Sequence, residues 1–279
     1  VYPWFNLASR GVETRRVKTD VSGRLDIDRL AEACDKRTRL VTLSWIGFAT
    51  GYRQDVSRIS TVAHDHGALL FLDSIQGLGA FPLDVNEMGI DFMAADGHKW
   101  ILGPEGAGIA YIRRECLEML RPIGVGWHSV LPGQDFTHIE LNLRPTAARY
   151  EGGSQNSAGM LAFGASLELL NGLGIENVAA SILDFTDRAC ERLADIGAKI
   201  VSDRGLSPNP SRTWGGAGEQ RSGIVAFEMP GRDPMAIKRH ALRQDVVFGC
   251  RAGRLRISPH AYNNDDDLDR LVEALTSFV

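Results

Sequence analysis

The sequence predicts an α/β protein: a mostly parallel sheet with flanking helices, followed by a smaller C-terminal α+β unit. Three observations predict it. Short apolar runs alternate with longer segments of helical period through the first 174 residues. These runs are continuously apolar, as strands covered on both faces of a parallel sheet are. Past residue 174 the texture changes to an amphipathic segment, several short strands and a terminal helix. With 279 residues, 44% of them hydrophobic, the chain can bury the core this architecture needs. The domain division expected is 1–174 and 175–279.

The elements follow in order. "RLVTLS" (39–44) reads as the first buried strand. "DVSRISTVAHDHG" (55–67) reads as a helix, with Val56, Ile59, Val62 and Ala63 on one face, Asp55 as N-cap and Gly67 as the stop. "ALLFLD" (68–73), "IDFMAA" (90–95) and "AGIAYI" (107–112) are the next strands. "SAGMLAFGASLELLNGLG" (157–174) is a long helix ending in glycines, and the amphipathic segment 175–197 follows it. "KIVSD" (199–203) and "SGIVAFEM" (222–229) are strands joined by a loop at 204–221. "RLRISP" (254–259) is a last strand, and "NNDDDLDRLVEALTSFV" (263–279) a helix whose early acids favour its dipole.

Several function classes lose support at this level. A net charge of −4 gives no basis for nucleic-acid or anionic-membrane binding. No apolar run approaches the ~20 residues of a membrane span. The four cysteines form no C-x-x-C pair, so neither a disulfide framework nor a zinc site is indicated, and a reducing, cytoplasmic setting is expected. His64 and His66 stand two apart on a helix and share no face, so no metal is expected there. Asp265–Asp269 lacks the glycine and glutamate of a calcium loop. "GPEGAG" (103–108) lacks the Lys-Ser/Thr of a nucleotide-binding loop. The chain starts abruptly at Val1, and an N-terminal portion preceding it is expected.

Chemistry concentrates at one sheet edge. Asp73 ends a strand at its carboxyl end, where open α/β sheets bind ligands. Gln76 lies three residues on. The segment "DGHKW" (96–100) follows the next strand and puts Lys99 at the same edge, among apolar neighbours. A lysine withdrawn from water loses part of its preference for the charged form and can form a Schiff base. An acid on the neighbouring strand end can pair with a heterocyclic nitrogen, and His98 can donate to a phosphate. A Schiff-base lysine and an aspartate on a pyridinium nitrogen are what pyridoxal phosphate chemistry requires. The plain alternatives are a turn-capping aspartate and a surface lysine.

The stretch "LLFLDSIQGLGAFPLDVNEMGIDFMAADGHKWILGPEGAGIAYI" (69–112) resembles the core of the class V aminotransferase family of pyridoxal phosphate enzymes. That family includes cysteine desulfurases, selenocysteine lyases, kynureninases and isopenicillin-N-epimerase-like proteins. "RYEGGSQN" (149–156) and "RLRISPHAYNNDDDLDRL" (254–271) resemble two further family segments. The resemblance implies a fold-type I transferase with pyridoxal 5'-phosphate as cofactor. It implies Lys99 as the Schiff-base lysine and proton carrier, Asp73 on the pyridinium nitrogen, Gln76 on the ring hydroxyl and His98 on the phosphate. Ser154 stands for the family's threonine, which reaches the phosphate of a partner subunit, so a homodimer is implied. Arg256 holds the α-carboxylate of an amino-acid substrate, and Arg251 is a second candidate for substrate binding. Amino transfer is the first expectation for the outcome. Cysteine or selenocysteine lyase chemistry or epimerisation is the alternative within the family, and a non-catalytic scaffold is the alternative outside it.

The chain also departs from the family pattern. Asp96 replaces a frequent serine, and a carboxylate there repels a phosphate unless it is paired. Cys250 directly precedes Arg251, without the loop that carries the nucleophilic cysteine of desulfurases, so a small buried hydrophobe is its expected role. Phe48 stands where desulfurase-like sequences carry asparagine. Trp127 and His128 are candidates for a pocket rim, although a stabilised loop suits them better.

Overall fold

The computed structural model describes residues 1–205 and 220–278, so most of the expected 204–221 loop lies outside the described residues. Strands β1 (Leu40–Ser44), β2 (Leu69–Asp73), β3 (Phe92–Asp96) and β4 (Gly108–Ile112) form one sheet in chain order. The first three are parallel, and β4 returns antiparallel to β3. The carboxyl ends of the three parallel strands therefore come together, with Ser44 directly beside Asp73 in register.

Helix α1 (Tyr2–Phe5) and α2 (Ile27–Ala33) precede the sheet, and α3 (Val56–Asp65) links β1 to β2. The start of α3 is fixed by Asp55, whose carboxylate accepts the Arg58 N–H at 3.1 Å. Its inward stripe is Val56, Ile59 and Ala63, and the chain leaves the helix through Gly67 at φ +70°. Burial in β2 alternates: Leu70 and Leu72 are fully buried, whereas Leu69 and Phe71 are half-buried. The covering expected on both faces is thus complete on one. On the other, Trp4 of α1 meets Phe71 edge-on at 5.8 Å. Strand β4 is largely exposed and has β3 as its neighbour.

A buried carboxylate ties this sheet to its surroundings. Asp91, 0% exposed, accepts from the Leu70 N–H at 2.7 Å and lies 2.8 Å from both His64 Nε2 and Arg113 Nη2. One side chain thereby joins α3, β2 and the segment after β4 at the entry to β3.

The long helices α4 (Ser157–Leu173) and α5 (Ile175–Asp195) meet at a 79° bend at Gly174. Helix α5 serves two cores. Val178, Ala179, Ile182 and Leu183 pack with the first sheet, and Phe185, Ala189 and Leu193 pack with the second. The second sheet holds β5 (Lys199–Ile200), β6 (Val225–Glu228), β7 (Gly249–Arg251) and β8 (Arg254–Ile257) in the order β5-β6-β8-β7, all antiparallel. Helices α6 (Pro234–Leu242) and α7 (Asp265–Thr276) cover it. Asn264 and Asp267 start α7 with reciprocal capping bonds.

Candidate active site

The site is built where the first sheet's strand ends meet the β7–β8 hairpin of the second. Asp73, the last residue of β2, is held at both carboxylate oxygens. Ser44 Oγ donates to Oδ2 at 2.9 Å, and the Ile75 N–H donates to Oδ1 at 3.1 Å. The acid is thus oriented by its neighbour strand and by its own following turn, and each oxygen retains acceptor capacity.

Lys99 follows β3 in a tight loop closed by Leu102 N–H to Lys99 O and Gly103 N–H to Gly97 O. Leu102 adopts φ +61°, a left-handed backbone that costs a non-glycine residue on the order of 1–3 kcal/mol. The Lys99 side chain is half-buried and makes no hydrogen bond or ion pair among the described residues. Burial holds its amine below the ordinary lysine pKa, and the nearby Arg256 and Arg251 push the same way. Asp73 and Asp96 counter part of this. The lysine therefore lies in the fields of four groups at once, Asp73, Arg256, Asp96 and Arg251, which come from both sheets.

Gln76 accepts the Trp100 indole N–H at Oε1, 3.1 Å away. Arg256, on β8, donates from Nη1 to the backbone carbonyl of Phe48 at 2.7 Å. Its buried Nε has no hydrogen-bond partner among the described residues. Gly249 is its register neighbour on β7, and a side chain there would stand 3.3 Å from Nε and 3.6 Å from Nη2. Burial, and then the charge of Arg251, lower the Arg256 pKa. Arg251 is exposed, with Nη1 on the Cys250 carbonyl.

The remaining candidates are placed more loosely. His98 is exposed, and its Nδ1 lies 3.2 Å from Asp96 Oδ2. The Gly97 N–H donates to the other Asp96 oxygen at 2.8 Å. The acid that interrupts the family pattern is thus paired, and its pKa is lowered chiefly by His98. Ser154 is exposed, makes no hydrogen bond among the described residues and does not cap α4, whose N-cap is Asn156. No contact joins Ser154 to Lys99, Asp73 or Gln76 there. Trp127 and His128 belong to a loop packed beside it: His128 donates from Nδ1 to the Gly153 carbonyl at 2.8 Å, and the two rings lie 3.8 Å apart. Cys250 pairs with buried Leu255 on the hairpin face opposite Arg256, since neighbouring strand residues alternate faces. Phe48 is 57% exposed at the same rim as Arg256.

Sequence reasoning missed three residues. Ser44 donates to Asp73, Trp100 donates to Gln76, and His260 holds the Trp100 carbonyl at 3.0 Å. Only the first had a readable signal, a hydroxyl at the end of the strand before the one that carries the acid.

The donor set fits pyridoxal phosphate. A carboxylate with spare acceptor capacity suits a protonated ring nitrogen, and a free amine suits the aldehyde. The Gln76 amide suits the ring oxygen. The orphaned Nε of Arg256 suits a carboxylate, since a buried donor without a partner costs about 1–3 kcal/mol. At the phosphate end, His98 donates from Nε2 only as the imidazolium if its Nδ1–H serves Asp96.

Comparison with known proteins agrees with this chemistry. The pattern of the class-V aminotransferase family matches residues 1–271. A probable cysteine desulfurase of Methanothermobacter thermautotrophicus is 31% identical over 292 residues, covering 98% of this chain and 68% of that protein. An uncharacterized aminotransferase of Bacillus subtilis is 25% identical over 267 residues, covering 95% of this chain and 66% of that one. The apo structure of a cysteine desulfurase from Thermococcus onnurineus NA1 superimposes with a TM-score of 0.85 at 22% identity, covering 100% of this chain and 69% of that one, which establishes the shared fold. The chain spans about two thirds of the length of these relatives. It belongs to the class-V aminotransferase family of pyridoxal phosphate enzymes.

Proposed function

We propose that this enzyme cleaves the carbon–sulfur bond of a cysteine-type amino acid. The carrying observation is the half-buried amine of Lys99, without a hydrogen bond or ion pair among the described residues and under the electrostatic influence of both the Asp73 carboxylate and the Arg256 guanidinium. The cysteine desulfurase relative at 31% identity supports the choice of substrate.

When bound, pyridoxal phosphate supplies an aldehyde for amines and a protonated ring that draws electron density from the substrate's Cα. Asp73, fixed by Ser44 and the Ile75 N–H, keeps the proton on the ring nitrogen. Gln76 donates from its amide nitrogen to the ring oxygen. Arg256 takes the substrate carboxylate on its Nε/Nη2 edge, which Gly249 leaves uncrowded while Phe48 occupies Nη1. Lys99 Nζ accepts the Cα proton, a role that a lowered pKa favours near neutral pH. His98 serves the phosphate from its own subunit, and Ser154 serves that of a second copy. The homodimer is part of the same proposal, supported by the unengaged Ser154 hydroxyl and by exposed Leu161, Leu169 and Leu173 on α4.

Cys250, turned away from the Arg256 face, does not take up the sulfur in this scheme. That placement also favours a second reading, amino transfer, for which the B. subtilis relative is named. The two separate on product. With cysteine, the lyase breaks the Cβ–S bond by elimination, releasing sulfide with pyruvate and ammonia, and needs no acceptor acid. The aminotransferase consumes an α-keto acid and returns the corresponding amine. Sulfide release independent of keto acid supports the proposal, and strict keto-acid dependence without sulfide overturns it.

A further inference from the structure

An indole N–H donates and never accepts. Trp100 Nε1 lies 3.1 Å from Gln76, so the atom facing it is the amide oxygen and the opposite end of the amide is the NH2. Without that contact nothing in the described structure distinguishes the two orientations of this amide, since it makes no other hydrogen bond there. The orientation matters because one end donates and the other accepts.

Trp100 is itself held on all sides. It is 5% exposed. Its carbonyl accepts the His260 Nε2–H at 3.0 Å, and the two rings lie 5.6 Å apart at 31°. His260 Nδ1 accepts the Ala261 N–H at 2.8 Å, so both ring nitrogens of this neutral histidine are used. Gly79, at φ +93°, lets the Gln76 turn pass over the Trp100 backbone, where a Cβ would stand 2.6 Å from its carbonyl. Gly223 does the same over the indole, where a Cβ would stand 2.3 Å from the ring. The indole has little freedom to turn away.

We propose that Trp100 is a positioning residue that fixes the polarity of Gln76, so that the amide presents donors and not its oxygen to the cofactor's ring oxygen. The inference rests on the cofactor placement proposed above. A donor favours the anionic form of that ring oxygen and lowers the pH at which the bound cofactor gives up its proton. An amide free to flip loses much of that effect.

The test is the pH titration of the visible absorbance band of the full chain loaded with pyridoxal phosphate, in wild type, Trp100→Phe, Gln76→Ala and the double variant. Trp100→Phe keeps an aromatic ring and removes the N–H. Its midpoint moves up by about 0.5–1 pH unit, the size expected for one hydrogen bond. In the Gln76→Ala background the same substitution moves it no further, because Trp100 acts through Gln76. A wild-type band with an unchanged Trp100→Phe midpoint overturns the inference alone, as does a Trp100→Phe shift that persists in full beside Gln76→Ala. Absence of any wild-type band overturns the cofactor reading and this inference with it. Should Trp100→Phe fail to fold, Gln76→Glu takes its place. Glutamate keeps an acceptor for the indole but has no donor to present, so the midpoint rises, and an unchanged midpoint overturns the inference.

Discussion

Lys99 carries an energetic cost before any ligand arrives. Burial disfavours its charged form in the folded chain, and the unfolded chain holds the proton up to the ordinary value of 10.5. Between the lowered folded pKa and 10.5 the unfolded state binds more protons, so folding becomes more favourable as pH rises through that window. Below the window the whole penalty is present. Lys99→Met removes it, and the cofactor-free variant is predicted to melt at a higher temperature than wild type at pH 7. The gain shrinks as pH rises towards 10.5, which melting curves across pH 7–10.5 will show; equal melting temperatures at pH 7 contradict it. A residue kept for chemistry at the expense of stability is expected at an active site. At this scale the sequence was legible where a chemical type was rare for its setting, as with Lys99 among apolar neighbours and Asp73 at a strand end. It was silent about Trp100 and His260, because a tryptophan or histidine in an apolar stretch reads as core until its N–H is seen on a partner. Asp96 read as a conflict with phosphate. The structure pairs it with His98, a contact between residues two apart that spacing alone does not settle.

The elements were legible in proportion to their patterns. Helices α3, α4 and α5 and strands β1 to β4 lie within a few residues of their expected positions, since a cap, a period or an apolar run marked each. Strand β7 was missed because three residues show no period. Helix α6 was missed although Asp233 caps it and Pro234 opens it, since the short turn signal before it reads equally as a loop. The apolar composition of β4 suggested burial, whereas the strand is largely exposed, since apolar composition marks a strand but not which elements cover its faces. Sequence also gave no hint that Asp91 joins three elements. Asp91→Ala leaves the Leu70 N–H without its acceptor and Arg113 without its carboxylate. A loss of about 2–3 kcal/mol in denaturant-measured stability is predicted, with a smaller loss for Asp91→Asn, which keeps an acceptor for Leu70. A loss below 0.5 kcal/mol for Asp91→Ala would show that the network contributes little net stability.

Across the whole molecule, the proposed active-site chemistry is divided between the two sheets. The first carries Asp73 and, in the turns that follow its strands, Gln76 and Lys99; the second carries Arg256 and Arg251, and His260 in the segment after β8 holds the backbone next to the lysine. Helix α5, packed into both cores, gives the two halves a shared rigid element. The fold class could be read from alternating strands and helices, but the meeting of Lys99 with Arg256, 157 positions apart, could be inferred only through family resemblance. The account stands on that meeting and on the freedom of one amine. Its most direct test is to load the purified chain with pyridoxal phosphate, reduce it with borohydride and map the modified peptide. The account predicts a visible band before reduction and a stable label on Lys99, both lost in Lys99→Ala. A chain that stays colourless at saturating cofactor, or a label on another lysine, would contradict it.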